Sequence, residues 1–138
     1  MELLKSIAAK AMRPAPPTSK SVGDSGEELA LRFLLKKGLM LVARNFKTPG
    51  RGGGEVDLIM RSPDGTLVFV EVRQRRSASH GGAAASISTT KRRRIIYAAQ
   101  HYLSRLARTP PCRFDVVAID GALSDAQIEW LQAAFDAS

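Results

Sequence analysis

Two short segments of the sequence combine the apolar pattern of a buried β-strand with acidic side chains. Residues 54–60 contain Glu55 and Asp57, and residues 68–73 contain Glu71. A carboxylate in a buried strand costs free energy unless a partner compensates its charge. Whatever fold this chain adopts must therefore bring a compensating group to these strands.

A turn signal joins the two segments into a β-hairpin. In Ser-Pro-Asp-Gly-Thr, residues 62–66, the proline presets its own φ and Gly65 accepts a positive φ. The sequence therefore predicts two antiparallel strands connected by a tight loop.

Two registers of this hairpin are compatible with the turn. If Arg61 pairs with Thr66, then Asp57 and Glu71 point to opposite faces of the sheet. If a three-residue loop with a left-handed bulge pairs Ser62 with Thr66 instead, the two acids lie opposite each other.

The division of side chains favours the bulged register. One face then holds only aliphatic residues: Val56, Leu58, Met60, Val68, Val70 and Val72. The other face holds Glu55, Asp57, Ile59, Phe69, Glu71 and Arg73. A slip by one residue would mix these sets. In this register Asp57 is opposite Glu71, and Glu55 is opposite Arg73.

The expected closeness of Asp57 and Glu71 creates an electrostatic problem. Side chains opposed on neighbouring strands have Cβ atoms about 4.5–5.5 Å apart, where like charges repel. A divalent cation between the acids removes this repulsion, and Mg²⁺ commonly binds one or two carboxylates together with a phosphate oxygen. The alternative is that the acids are partly solvated and pair with Arg73 or a neighbouring arginine. We predict a Mg²⁺ or Mn²⁺ site.

The composition indicates one compact domain with a polyanionic partner. The 138 residues carry a net charge of +8, which favours nucleic acid first and an anionic membrane surface second. The single cysteine excludes an intramolecular disulfide. No segment approaches the ~20 apolar residues of a membrane span, and the first residues lack a secretion signal. The sequence therefore predicts a cytoplasmic protein that is not embedded in a membrane.

The sequence predicts a flexible basic N-terminal arm at residues 1–22 and a folded domain at residues 23–138. A capping-box pattern at Ser25 indicates the start of a first helix, which Gly38 ends. A second helix is predicted at residues 90–108, where a following Pro-Pro pair ends the apolar periodicity.

The remaining elements complete a mixed sheet flanked by helices. Strands are predicted at residues 39–44 and 114–120, in addition to the hairpin. Residues 124–135 are predicted to form a helix, because apolar residues recur there at helical spacing. An edge strand around residues 128–130 is the alternative.

Basic residues cluster around the expected metal site. They are Arg73, Arg75, Arg76, Lys91, Arg92, Arg93 and Arg94. Cations at the N-terminus of a helix oppose its macrodipole, so helix stability does not explain the last four. Helix N-termini and arginines both attract phosphate. We predict that the cluster from Arg75 onward binds the backbone of nucleic acid, most readily DNA; a solvated basic face is the alternative.

Several motifs together resemble the YraN family of small bacterial proteins. They are GDSGEELA at 23–30, Gly38, Arg44-Asn45, GEVDLI at 54–59, FVEVR at 69–73, Lys91 and RFDVV at 113–117. The resemblance covers about residues 23–135. The YraN family is similar to restriction-endonuclease-like nucleases related to archaeal Holliday-junction resolvases. This implies an α/β fold with a restriction-endonuclease-like core, in which helices flank a mixed central β-sheet with a β-hairpin.

The resemblance also implies roles for individual residues. Asp57 and Glu71 match the metal-binding acids, and Glu27 matches the acid of the first helix. Arg73 stands where the superfamily pattern has lysine. Arginine can hold the scissile phosphate, but it stays charged and cannot act as a base.

The sequence predicts a Mg²⁺- or Mn²⁺-dependent nuclease that hydrolyses DNA, with branched or single-stranded DNA as candidate substrates. In this hypothesis Asp57, Glu71 and the main-chain carbonyl of Val72 hold the metal. Glu55 or Glu27 orients a second water or ion. One alternative is a nucleic-acid-binding module that has lost catalysis, and another is a protein-interaction scaffold. The sequence leaves homodimer formation open.

Overall fold

A computed structural model describes residues 19–75, 87–121 and 125–137, with side chains from Ser25 onward. The elements in these ranges are helix α1 (Ser19–Lys36), strands β1 (Met40–Lys47), β2 (Glu55–Arg61) and β3 (Leu67–Arg75), helix α2 (Thr89–Leu103), and strands β4 (Cys112–Asp120) and β5 (Gln127–Phe135). Most of the predicted N-terminal arm lies outside the described residues. No helix in the described ranges is long and apolar enough to cross a membrane.

The strands form one five-stranded mixed sheet in the order β1-β2-β3-β4-β5. Only β3 and β4 are parallel, and the other neighbours are antiparallel. Helix α2 lies in the connection between the two parallel strands, as such a connection requires. This architecture confirms the predicted α/β class with a restriction-endonuclease-like core.

The two helices cover opposite faces of the sheet. The core under α1 contains Ala30, Leu31, Leu34, Leu58, Met60, Val68, Val70, Val117 and Ile119. The core under α2 contains Val56, Ile59, Leu67, Phe69, Ile95, Ala98, Ala99 and Phe114. The central strands are therefore buried on both sides, and a charged side chain on them is shielded from solvent.

The hairpin adopts the bulged register that the sequence predicts. Leu58 pairs with Val70, and this register continues to the end of β2. The Ser62 N–H donates to the carbonyl of Thr66 at 2.9 Å, and Gly65 has a φ of 92°. The turn chemistry and the alternation of side chains were thus sufficient to fix the pairing.

The paired register of β2 and β3 stops at Leu58–Val70, short of the acidic ends of the strands. The ladder therefore pairs neither Asp57 with Glu71 nor Glu55 with Arg73, contrary to the prediction. Val56 also departs from the predicted face, because it packs under α2 rather than with Leu58. Both differences occur where the two strands no longer share a ladder.

Several predicted elements have different bounds, and one has a different type. Helix α1 begins at Ser19, so the capping box at Ser25 is wrong. Helix α2 ends at Leu103, five residues before the predicted end at position 108.

The C-terminal segment is a strand rather than the predicted helix. In β5, Ile128 and Trp130 face the α1 side, whereas Leu131 and Phe135 face the α2 side. Apolar residues on both faces of an edge strand produced a spacing that resembles a helical stripe. The edge-strand alternative is correct, and Ser124 lies outside the described residues.

Candidate metal centre

Asp57 and Glu71 lie together at the end of the hairpin ladder. Both are buried, with 8% and 5% of their surface exposed. The Oδ2 atom of Asp57 accepts the main-chain N–H of Val72 at 2.8 Å. Asp57 therefore takes over a main-chain hydrogen bond where the ladder stops, and this holds its carboxylate beside Glu71.

Burial makes ionisation of both carboxylates more costly, and the neighbouring Asp57 adds to this cost for Glu71. Burial, together with the neighbouring charge of Asp57, raises the pKa of Glu71 from its usual 4.5 to about 8. Burial also raises the pKa of Asp57, and the charge of Glu55 acts in the same direction. The Val72 N–H and Lys91 oppose this rise in the pKa of Asp57. At neutral pH the pair therefore retains a proton.

The residues at this position fit a divalent cation. The Oε2 atom of Glu71 is buried and makes no hydrogen bond within the described part of the chain. The N–H of Val72 points towards Asp57, and the C=O of a strand residue points to the same side as its N–H. Two carboxylates, with the main-chain carbonyl of Val72 as the predicted third donor, are hard oxygen groups of the kind that suits Mg²⁺ or Mn²⁺.

The predicted additional acids do not complete a larger cluster with this pair. Over the described ranges, no group of three or more His, Cys, Asp or Glu side chains is arranged to hold a metal ion. Glu55 is half-buried and close enough to act on Asp57. Glu27 has one buried carboxylate oxygen on α1. The roles of Glu55 and Glu27 remain predictions.

Lys91 reaches the acidic pair from the first turn of α2. Its Nζ atom lies 3.5 Å from Oε1 of Glu71, and its side chain is 39% exposed. Ser88 caps the helix, because its hydroxyl accepts the main-chain N–H of Lys91 at 3.1 Å. Sequence reasoning placed Lys91 among the phosphate-binding cations and missed its contact with Glu71. The sequence did carry one signal for this contact. A cation in the first turn of a helix opposes the helix macrodipole, so Lys91 needs another reason to be there.

A glycine allows α2 to approach the start of β2. A Cβ atom on Gly54 would lie 2.0 Å from the carbonyl oxygen of Arg94 and 2.8 Å from the nitrogen of Ala98. The Nε atom of Arg94 donates to the carbonyl of Gly53 at 3.3 Å. Thr48 stabilises the loop that precedes β2, since its hydroxyl accepts the Gly54 N–H at 2.6 Å. These contacts set the position of α2, and with it that of Lys91.

The predicted nucleic-acid-binding residues occupy different environments. Arg75 lies against Asp120, with distances of 2.6 Å and 2.9 Å from its guanidinium to the two carboxylate oxygens. Its side chain is only 8% exposed. It therefore ties β3 to β4, and its predicted contact with phosphate stays a prediction. Arg76 lies outside the described residues.

The remaining predicted phosphate-binding cations are mostly exposed, and two of those on α2 line an open cavity. Arg73 and Arg93 are exposed, and Arg94 is exposed apart from its bond to Gly53. The guanidinium of Arg92 lies 5.6 Å from the ring centroid of Phe135. Arg92 and Arg93 line a cavity of about 710 Å³ between α2 and the end of β5, together with Tyr97.

Comparisons with known proteins place this chain among close relatives. Residues 26–119 match the model of a family described as "Uncharacterised protein family UPF0102". A UPF0102 protein of Polaromonas naphthalenivorans is 63% identical over 130 residues, covering 91% of this chain and 85% of the relative. A UPF0102 protein of Albidiferax ferrireducens is 68% identical over 120 residues, covering 87% of this chain and 91% of the relative.

Proposed function

The chain belongs to the UPF0102 family, which is the YraN family, and we propose that it is a metal-dependent nuclease that hydrolyses phosphodiester bonds of DNA. The observation that carries the proposal is the buried pair of Asp57 and Glu71, in which one carboxylate oxygen has no hydrogen bond within the described residues. A buried acidic pair beside a basic helix suits a site for a cation and a phosphate.

Three groups of the chain would hold the metal: the carboxylates of Asp57 and Glu71, and the main-chain carbonyl of Val72. When bound, Mg²⁺ or Mn²⁺ supplies charge neutralisation at the phosphate and lowers the pKa of a coordinated water. Because the two carboxylates are buried, solvent screens their charges less. They therefore attract a cation more strongly than exposed acids do.

Hydrolysis requires one water and a well-held phosphate. The water oxygen forms a bond to phosphorus, one P–O ester bond breaks, the water's proton leaves to solvent, and the departing oxygen takes a proton from solvent. Arg73 follows Glu71 by two positions on β3, and side chains two apart on a strand share a face. Its exposed guanidinium is suited to holding the scissile phosphate against the acids.

Helix α2 supports binding to the DNA backbone. Its sequence contains Lys91, Arg92, Arg93 and Arg94 but no aspartate or glutamate. The cations project from the helix end that already attracts anions. Few aromatic residues are available for base stacking, so recognition of phosphate geometry is favoured, with branched or single-stranded DNA as the candidate substrates.

A second candidate is a nucleic-acid-binding module without catalysis. The arginine at position 73 favours it, because arginine does not exchange a proton at neutral pH. This candidate differs from the first in a measurable way. It predicts salt-dependent binding of DNA with no metal-dependent turnover.

The test is a cleavage assay with the full chain on linear duplex, single-stranded, flapped and four-way DNA. Mg²⁺ or Mn²⁺ is expected to permit cutting of at least one form, and EDTA to abolish it. Asp57→Asn is expected to lose about 100-fold or more in rate, because it removes a metal-binding charge. The control Asp125→Asn makes the same change at an exposed position. Intact DNA in every lane, or full activity of the Asp57 variant, contradicts the proposal.

A further inference from the structure

We infer that Lys91 is a catalytic residue of this site, and that its ammonium group contacts the phosphate being cut. This inference rests on the proposed function. It assigns to α2 a role beyond the general binding of the DNA backbone that is predicted from the sequence.

The position of Lys91 distinguishes it from the other cations. Its Nζ atom lies 3.5 Å from Oε1 of Glu71, and its charge acts on both acids of the site. In the described part of the chain no ion pair joins Arg73 to either acid, although it is only two positions from Glu71. Lys91, rather than Arg73, is thus the basic residue whose side chain contacts the acidic pair.

The surroundings of Lys91 fix where its side chain starts. The cap at Ser88 closes the first turn of α2 through the main chain of Lys91. One turn further along, the helix packs against Gly54. The carbonyl oxygen of Arg94 occupies the space that a side chain at position 54 would need. Helix α2 is therefore held at both sides of Lys91, and such preorganisation is what a catalytic group requires.

The exposure of Lys91 leaves it able to contact a ligand. An ammonium group has three donors, and the ion pair with Glu71 engages at most one of them. Since the side chain is 39% exposed, the other donors can reach a non-bridging phosphate oxygen or the attacking water. In the hydrolysis described above the lysine keeps its proton and offsets the negative charge that gathers on the phosphate oxygens. The balance of atoms and protons is unchanged.

The activity test compares Lys91→Ala with wild type under single-turnover conditions at saturating DNA. We expect a loss of about 100-fold or more in rate, the usual effect of removing one transition-state donor. The dissociation constant for DNA is expected to change only severalfold, because one phosphate contact is lost. Arg108→Ala serves as the matched loss of one exposed cation, with the rate unchanged.

A second measurement does not depend on cleavage. Titration of Mn²⁺ without DNA is expected to show binding to Lys91→Ala roughly threefold to tenfold tighter than to wild type, since a like charge beside the acids has been removed. Unchanged or weaker binding overturns the placement of this charge at the metal site. Circular dichroism of the variant confirms that α2 is retained.

The outcomes separate this inference from the proposed function. If Asp57→Asn is inactive and Lys91→Ala cuts at the wild-type rate, the role of Lys91 is wrong and the nuclease assignment stands. If wild type cuts no DNA with either metal, both are wrong. Loss of rate in Lys91→Ala together with tighter Mn²⁺ binding supports the inference.

Discussion

The buried acids Asp115 and Glu71 differ in how many hydrogen bonds their carboxylate oxygens accept from the protein. Asp115 is fully buried, and its oxygens accept bonds from Arg113, from the Trp130 indole at 2.9 Å and from the Ala133 N–H at 2.9 Å. Glu71 is also buried, with 5% of its surface exposed, but its Oε2 atom has no hydrogen bond within the described ranges. Asp115 is satisfied by the protein alone and stabilises β4 and β5. For Glu71 the Oε2 atom is left without such a bond, and this difference supports the proposal that Glu71 binds a ligand.

The raised pKa of Glu71 predicts a pH-dependent stability. The folded chain holds a proton on Glu71 up to about pH 8, whereas an unfolded chain releases it near 4.5. Stability from this group is therefore complete below about pH 4.5 and is lost as pH rises through 8. We expect Glu71→Gln to be the more stable form at pH 9, by about 1–3 kcal/mol, because the amide carries no buried charge. Urea unfolding between pH 5 and 9 measures this.

The matched control for that experiment is Glu28→Gln. Glu28 is partly exposed and pairs with Arg32 and Arg44 at the surface. Surface pairs of this kind contribute little, so its pH profile is expected to follow wild type. Parallel profiles for wild type and Glu71→Gln would contradict the buried, proton-holding state of Glu71.

At the scale of elements, the contact between α2 and the start of β2 determines the geometry of the site. Gly54 leaves no room for a side chain, since a Cβ there would overlap the main chain of α2. Replacing it with alanine must move the helix or the strand. Lys91 stands one turn before that contact, so displacement of the helix moves its ammonium group away from Glu71.

Gly54→Ala is therefore expected to lower both stability and activity. We expect a loss of about 1–3 kcal/mol in the free energy of unfolding, as for overpacking of a close contact. We also expect the cleavage rate to fall about tenfold or more, because catalytic groups tolerate little misplacement. Chemical denaturation and single-turnover cleavage measure the two effects.

The control variant Gly50→Ala introduces backbone strain in the loop without displacing α2. Gly50 has a φ of 89° and nothing within 4 Å of its Cβ position. Its replacement strains the loop without touching α2. Stability is expected to fall while the rate stays at the wild-type level. An unchanged rate in Gly54→Ala as well would contradict the positioning role of this contact.

The elements also show what the sequence could reveal and what it could not. The hairpin register followed from local signals, since a turn with Gly65 at positive φ and strict alternation agree on one pairing. The proximity of Asp57 and Glu71 was accessible for the same reason. The contact of Lys91 with Glu71 depends on how a helix packs on a distant strand, and no local pattern encodes that distance. The ion pair of Arg75 was not accessible from the sequence either, because its partner, Asp120, belongs to another strand.

At the scale of the whole molecule, charge is distributed unequally over the two faces of the sheet. Helix α2 has four Lys and Arg residues and no acids. On the other face, α1 places Glu27 and Glu28 among its cations, and Glu28 pairs with Arg32. The chain carries a net charge of +8, and α2 concentrates part of it beside the acidic pair. A polyanion is therefore expected to approach from the side of α2.

This asymmetry predicts how DNA binding depends on salt. Each phosphate neutralised by a cation contributes about −0.9 to the slope of log K against log salt for duplex DNA. Arg93 is exposed on α2, so Arg93→Ala is expected to reduce the magnitude of that slope by about 0.9 and to weaken binding in all sequences alike. Arg32→Ala removes an equally exposed charge from α1, and its slope is expected to match wild type because α1 faces away. Fluorescence anisotropy with labelled DNA over a range of NaCl concentrations measures both slopes. Equal losses for the two variants would mean that net charge, rather than the α2 face, governs binding, and the proposed orientation of DNA across the site would then be wrong.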